Sequence, residues 1–222
     1  DNQTFNVSLK DINRTSLVAY YPFNGNAKDL GGNSYNGVVN GATLTRGKNT
    51  IPDTAYLFDG TDDYIEFGTG ILSGDGPFSI SIWIKTTTDN ESRFIQQRDP
   101  SGFTGQYFAS IKANGMVEFK TYDSSWKWTV TSTEAKNDGN WHHFVFVQND
   151  NGGSMYVNGV LDASDNSSGK VELLSTTKTY IGGDKRDDNR FYNGKIDDLV
   201  IYNKALSASD IIELYNSSFS PV

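Results

Sequence analysis

Phe78-Ser79-Ile80-Ser81-Ile82-Trp83-Ile84-Lys85 puts Phe78, Ile80, Ile82 and Ile84 at every second position. A β-strand turns successive side chains to opposite faces, so these four share one side and ask to be buried there, while Ser79 and Ser81 face the other way. Working outward, the same period reads as strands at about 17–22, 55–59, 63–67, 93–97, 107–113, 115–122, 126–133, 141–148, 154–162, 178–182 and 194–202. Between them stand ten Asn-Gly or Asp-Gly pairs, beginning at Asn24, Asn36, Asn40, Asp59, Asp75, Asn114, Asp138, Asn151, Asn158 and Asn193. Such pairs accept the positive φ of tight hairpin turns. About a dozen short strands so punctuated predict an all-β antiparallel sandwich or barrel. The exception is the C-terminus, where Ser207 and Asp210 form a capping-box start and Leu206 can staple onto Ile211, predicting a helix over 208–215.

The chain has 222 residues, a length that one two-sheet domain accommodates, and residues 17–222 are read as that domain. Residues 1–16 are polar and without clear period, an N-terminal linker or edge segment. A formal charge of −8 disfavours a phosphate-backbone ligand, so nucleic acid and anionic membrane are not expected partners. The absence of cysteine excludes disulfides, thiolate metal sites and Cys nucleophiles. No apolar run reaches the roughly 20 residues that a membrane-spanning helix needs, so no membrane insertion is expected.

Several stretches occur together and in order: Leu17-Val-Ala-Tyr-Tyr-Pro-Phe-Asn-Gly-Asn-Ala-Lys-Asp29, Ala55-Tyr-Leu-Phe-Asp-Gly-Thr-Asp-Asp-Tyr-Ile65, Phe78–Lys85, Asp138-Gly-Asn-Trp-His-His-Phe144, Met155-Tyr-Val-Asn-Gly159 and Phe191–Ser207. They resemble the laminin-G-like, concanavalin A-like lectin superfamily modules of exported bacterial proteins. The resemblance implies a jelly roll of two curved antiparallel sheets, a secreted or cell-surface location, and a place in a larger multidomain chain. It does not fix the ligand, because one fold hosts many functions.

Some sandwiches of this kind are enzymes, and retaining glycoside hydrolysis needs two carboxylates about 5–5.5 Å apart. The Glu-x-Asp-x-x-Glu strand pattern of sandwich hydrolases is missing, and Glu66, Glu91, Glu118, Glu134, Glu172 and Glu213 are scattered. His142 and His143 are adjacent in a strand and point to opposite faces, one expected in the core and the other in solvent. The expectation is a non-catalytic module. Calcium is the expected ion, because the loop 24–37 is rich in hard oxygen donors, led by Asn26 and Asp29. The resemblance adds Asp197 as a third ligand of a structural Ca²⁺; Asx-turns are the competing reading of the same loop.

Sugar recognition asks for aromatic faces beside hydrogen-bonding groups. Tyr122-Asp-Ser-Ser-Trp-Lys-Trp128 offers them, with Trp126 and Trp128 two apart and expected on one strand face, and Tyr122 in support. A core position for the pair is the competing reading. The charged segment 183–192, with Arg186, Arg190 and Tyr192, is either a binding rim, with Arg98 nearby, or an ordinary solvated loop. Together these readings predict a lectin-like module binding a polysaccharide or glycan on an aromatic platform. A protein-binding adhesin, a structural spacer and, last, a polysaccharide-degrading enzyme are the alternatives.

Overall fold

The computed structural model describes residues 14–99, 104–167, 169–184 and 190–217. In chain order the strands are β1 (Leu17–Tyr21), β2 (Val38–Asn40), β3 (Thr43–Thr45), β4 (Ala55–Asp59), β5 (Tyr64–Thr69), β6 (Phe78–Lys85), β7 (Ser92–Arg98), β8 (Gln106–Ile111), β9 (Val117–Asp123), β10 (Ser125–Thr131), β11 (Trp141–Asn149), β12 (Gly152–Val157), β13 (Val160–Asp165), β14 (Lys178–Ile181) and β15 (Asn193–Tyr202). One helix, α1, follows at Ala208–Asn216.

The strands form two antiparallel sheets, one ordered β13-β12-β11-β6-β15-β4-β3 with β1 also on β15, the other β10-β9-β8-β7-β14-β5-β2. In each sheet sequential hairpins alternate with neighbours distant in sequence, such as β11-β6, β6-β15, β7-β14 and β14-β5, the crossover topology of a jelly roll. Strand β6 sits in the middle of the first sheet with β11 and β15 on either side. Its alternation is realised as read: Phe78, Ile80, Ile82 and Ile84 are all buried in the intersheet core, together with Phe144 and Phe146 of β11 and Phe94, Tyr107 and Phe119 from the facing sheet. The segment read as one strand over 154–162 is instead a hairpin, β12 and β13, turning at Asn158 and Gly159, both at positive φ. Strands β2 and β3, three residues each, carry too little period to be read from sequence.

The outward face of the first sheet is not left to solvent along its whole length. Ser207 accepts from the Asp210 N–H and the Asp210 carboxylate accepts from the Ser207 N–H, so the predicted capping box starts α1. The helix then buries Ile211 and Leu214 against Val145, Val147, Val200 and Tyr202, with Leu206 beside them. A second, smaller core results on the outside of the sheet. Among the described residues no helix is long and apolar enough to cross a membrane.

Candidate functional site

On the seven-stranded sheet the inward-outward period decides which side chains meet solvent. Along β9, Val117, Phe119 and Thr121 go into the core, which leaves Glu118, Lys120 and Tyr122 outward. Along β8, Tyr107, Ala109 and Ile111 are buried inward and Phe108 faces out. Trp126 of β10 pairs across from Tyr122, and the three outward rings form one cluster: Trp126 lies 5.1 Å from Tyr122 and 6.0 Å from Phe108, edge to face in both cases. Trp126 is 52% exposed, an unusually open position for an indole. Cations stand beside the rings, with Lys120 Nζ 5.3 Å from the Trp126 ring and the Arg93 guanidinium 4.3 Å from Phe108. With Arg98, Gln106 and Arg190 these residues line an open groove of about 380 Å³.

The second tryptophan of the expected platform is not there. The β9–β10 register slips between Trp126 and Thr129, so one extra residue separates the pairs Trp126–Tyr122 and Thr129–Lys120. This bulge turns Trp128 inward although it is two residues from Trp126. The Trp128 N–H donates to Thr121 Oγ1 at 3.1 Å, and Thr121 Oγ1 donates to the Trp128 carbonyl at 3.2 Å, so a side chain replaces the interrupted ladder. Inside, the Trp128 ring is fully buried, stacked on Phe119 at 5.0 Å, and its Nε1 donates to Gln148 at 3.0 Å. Gly153 packs against the same ring; a Cβ there would lie 2.1 Å from it. Tyr192 is likewise a core residue, fully buried against Phe58 and Phe94, its hydroxyl donating to the Lys85 carbonyl at 3.2 Å. Arg98 does line the groove, whereas Arg186 lies outside the described residues.

Scattered in sequence, two of the glutamates are brought together in space. Glu91 and Glu118 both line the groove, and Lys112 Nζ lies 2.8 Å from the first and 3.7 Å from the second. The hydrogen bond from Lys112 is the main reason that the Glu91 carboxyl is held below its ordinary pKa, which is the opposite of what a general acid requires. The histidines do split to two faces, but both are largely covered: His143 hydrogen-bonds Ser81 at 2.7 Å, and His142 pairs with Asp138 at 2.9 Å. Glu91 and Arg190 also line a neighbouring cavity of about 540 Å³, and Phe191 continues from there into a third, beside Asp62 and Tyr64.

Set against known proteins, residues 59–212 match the family model described as the concanavalin A-like lectin/glucanases superfamily. The chain belongs to that superfamily. Domain 4 of a GH43 extracellular arabinanase from Geobacillus stearothermophilus, solved in complex with arabinotriose, superposes with this superfamily member at a TM-score of 0.73 and 24% identity, over 90% of this chain and 98% of that one. The botulinum neurotoxin serotype D ligand-binding domain in complex with N-acetylneuraminic acid has a TM-score of 0.70 and 23% identity, over 92% of this chain and 52% of that one. At these identities the likeness is one of fold. The human adhesion G-protein coupled receptor D1 is 29% identical over 129 residues, and the match spans 54% of this chain and only 14% of the receptor.

The residues expected to hold calcium in this superfamily member have partners within the protein. Asn26 makes an Asx-turn, its Oδ1 accepting the Lys28 N–H at 2.9 Å. Asp29 accepts N–H groups from Tyr20, Gly31 and Tyr35, using both oxygens. Asp197 on β15 accepts the Lys48 N–H at 2.9 Å, and the adjacent Asp198, at φ 41°, pairs with Lys48 Nζ at 2.9 Å. Burial and then the charge of Asp198 push the Asp197 carboxyl up to about 8. Calcium needs the two carboxylates ionised, and an ion taking the three residues together would have to replace these bonds. Separately, Asp59, Asp62 and Asp63 gather carboxylate oxygens within 4.8 Å of one another at the β4–β5 turn; there Asp63 accepts the Asp59 N–H and Asp59 accepts the Thr61 N–H.

Sequence reasoning missed Phe108 and Lys120. The signal was available, since once 117–121 is fixed by its buried alternate residues, Lys120 and Tyr122 must share the opposite face.

Proposed function

We propose that the protein is a non-catalytic carbohydrate-binding module that works outside the cell, as one part of a larger exported bacterial polypeptide, and holds a polysaccharide across Trp126. The observation that carries this reading is the open cluster of Trp126, Tyr122 and Phe108, ringed by hydrogen-bonding side chains in a groove. An exposed indole offers a flat apolar face to sugar C–H groups, and guanidinium, amide and carboxylate neighbours meet the hydroxyls. Two similar structures are described as complexes with sugars, which supports a glycan over a protein partner. The Glu91–Lys112–Glu118 arrangement keeps a carboxylate charged where a hydrolase would keep one protonated, which supports binding without cleavage.

Binding is tested on a glycan array followed by titration calorimetry with wild type and Trp126→Ala. Loss of the ring weakens binding by about tenfold or more, by analogy with stacking on other aromatic platforms. Full affinity in the variant, or release of reducing ends that depends on Glu91 or Glu118, overturns the reading. Calcium is a separable part of the proposal, tested by a chelator melt. A lowered melting temperature supports an ion at Asp197 and the 24–29 loop by mass action; an unchanged one assigns Asn26 and Asp29 to turn formation alone.

A further inference from the structure

The Trp126 groove does not end at its own wall. It shares Glu91 and Arg190 with a cavity of about 540 Å³, and that cavity shares Phe191 with another of the same size beside Asn40, Asp62 and Tyr64. The hollows follow one another across the surface, and the Phe191 ring stands between the last two. Phe191 owes that position to its neighbour. The Tyr192 ring is fully buried, so the residue before it points to the other side and stays partly exposed. Its backbone is tied down, with the Tyr192 N–H donating to the Gly182 carbonyl at 2.8 Å and the Arg93 N–H donating to the Arg190 carbonyl at 2.9 Å. Gly183 lets the ring sit close, since a Cβ there would lie 2.4 Å from it. An aromatic side chain fixed in this way loses little freedom when a ligand lies on it. Thr88, Asn90 and Asn193 add a hydroxyl and two amides to the middle cavity.

The separation of the two aromatic stations follows from register. Trp126 pairs with Tyr122, whereas Phe191 bridges Arg93, which pairs through Ser110 with Glu118. The line between them crosses about four strand spacings and moves about four residues along the strands, a diagonal of roughly 20–25 Å, the reach of about four or five sugar residues in an extended chain. Resting on the carbohydrate-binding reading above, we propose that Phe191 is a second sugar-binding residue and that the ligand is a linear polysaccharide held along its length, from Trp126 past Arg190 and over Phe191. Each ring covers one sugar residue, and the polar walls meet the hydroxyls of those in between. A module that grips one end group at Trp126 has no use for the two further cavities.

The measurement is calorimetry on size-graded oligosaccharides of arabinan, xylan, mannan and cellulose, from disaccharide to hexasaccharide, beside a glycan array. Within the bound series affinity should climb about tenfold or more from disaccharide to hexasaccharide, as a second contact on the same chain requires. Phe191→Ala should bring the hexasaccharide down to the level of the shorter chains, while Trp126→Ala weakens short and long alike. Should Phe191→Ala melt early, Phe191→Leu keeps the apolar volume without the flat face and reads the same loss. Equal affinity for disaccharide and hexasaccharide, or binding confined to end groups on the array, overturns the extended path and, if Trp126→Ala weakens it, leaves the carbohydrate-binding reading standing. A length dependence that a folded Phe191 variant retains in full also overturns it. Failure to bind any member of any series, or any glycan on the array, overturns both.

Discussion

The two sheets each set a lysine against an outward tryptophan at the same distance, and then treat the pair differently. On the eight-stranded sheet Lys48 Nζ lies 5.3 Å from the Trp83 ring; on the seven-stranded sheet Lys120 Nζ lies 5.3 Å from Trp126. Around Trp83 the chain closes its own lid, with Tyr215 of α1 stacked at 5.6 Å and His143 at 5.0 Å. Lys48 is consequently buried and holds an equally buried Asp198. Around Trp126 no helix arrives among the described residues, and Lys120 keeps an ordinary partly exposed pair with Glu118. A cation beside an indole is a structural device where the protein covers it and stays accessible to solvent where it does not.

The contrast is broken or sharpened by making matched changes on the two sides. The largest expected effect is that of Trp128→Ala, which removes a buried ring and one of the two N–H donors to Gln148 Oε1, the Val171 N–H remaining, at a cost of roughly 3–5 kcal/mol of folding stability. Denaturant unfolding measures it; a loss under about 1 kcal/mol would mean that the indole is not in the core. Next, Lys48→Met should lose about 3 kcal/mol at pH 8, because it strands a buried carboxylate, whereas Lys120→Met should stay within about 0.5 kcal/mol. The Lys48 deficit should shrink towards pH 5, since a protonated Asp198 needs no counter-charge; an equal deficit at both pH values contradicts a buried charged pair.

Acid gives the next effect. Burial, with a contribution from Lys48, holds His143 down at about 3, while the unfolded chain titrates near its ordinary value of about 6.5. Between those values the unfolded state binds the extra proton, so stability is full above about pH 6.5 and falls as the pH drops towards 3, by at most about 1.4 kcal/mol per unit. His143→Gln should have a shallower acid limb in a series of melts, and a parallel limb would remove His143 from the account. The smallest effect on folding belongs to Trp126→Ala, expected within about 0.5 kcal/mol of wild type because the ring is half exposed.

How far the sequence could be read depended on whether a residue's place followed from local period. Strand β6, most of the turn pairs and the capped helix are local and agree with the fold; the exceptions are Asn193-Gly194, which opens strand β15, and Gly37 and Gly76, which are not among the glycines at positive φ. Trp128 defeated the period because a bulge changes parity without any mark in composition, the bulged strand still reading as Ser-Trp-Lys-Trp-Thr-Val-Thr. Tyr192 looked like a loop residue by its charged neighbours, yet the bridge from Arg93 to Phe191 draws the chain inward at that point. The groove itself joins β7, β8, β9 and β10 with Arg190, and such a meeting is a property of topology that no single stretch records. Trp126 and Tyr122 were legible in it from an aromatic stretch in polar surroundings, and Arg98 from its nearby charge.

The slip between Trp126 and Thr129 has a further bearing on how such a domain diversifies. A strand of strict period ties the two faces together, because a one-residue insertion exchanges inside for outside along everything that follows. Here the exchange happens once, between Trp126 and Trp128, and Thr121 absorbs it with its own hydroxyl. Residues before the slip can be traded for new specificities while those after it go on filling the core. With the groove in the binding role proposed for it, descendants of this chain could change what they bind by rewriting a few positions at the tip of the β9–β10 hairpin, without renegotiating the packing of the sandwich.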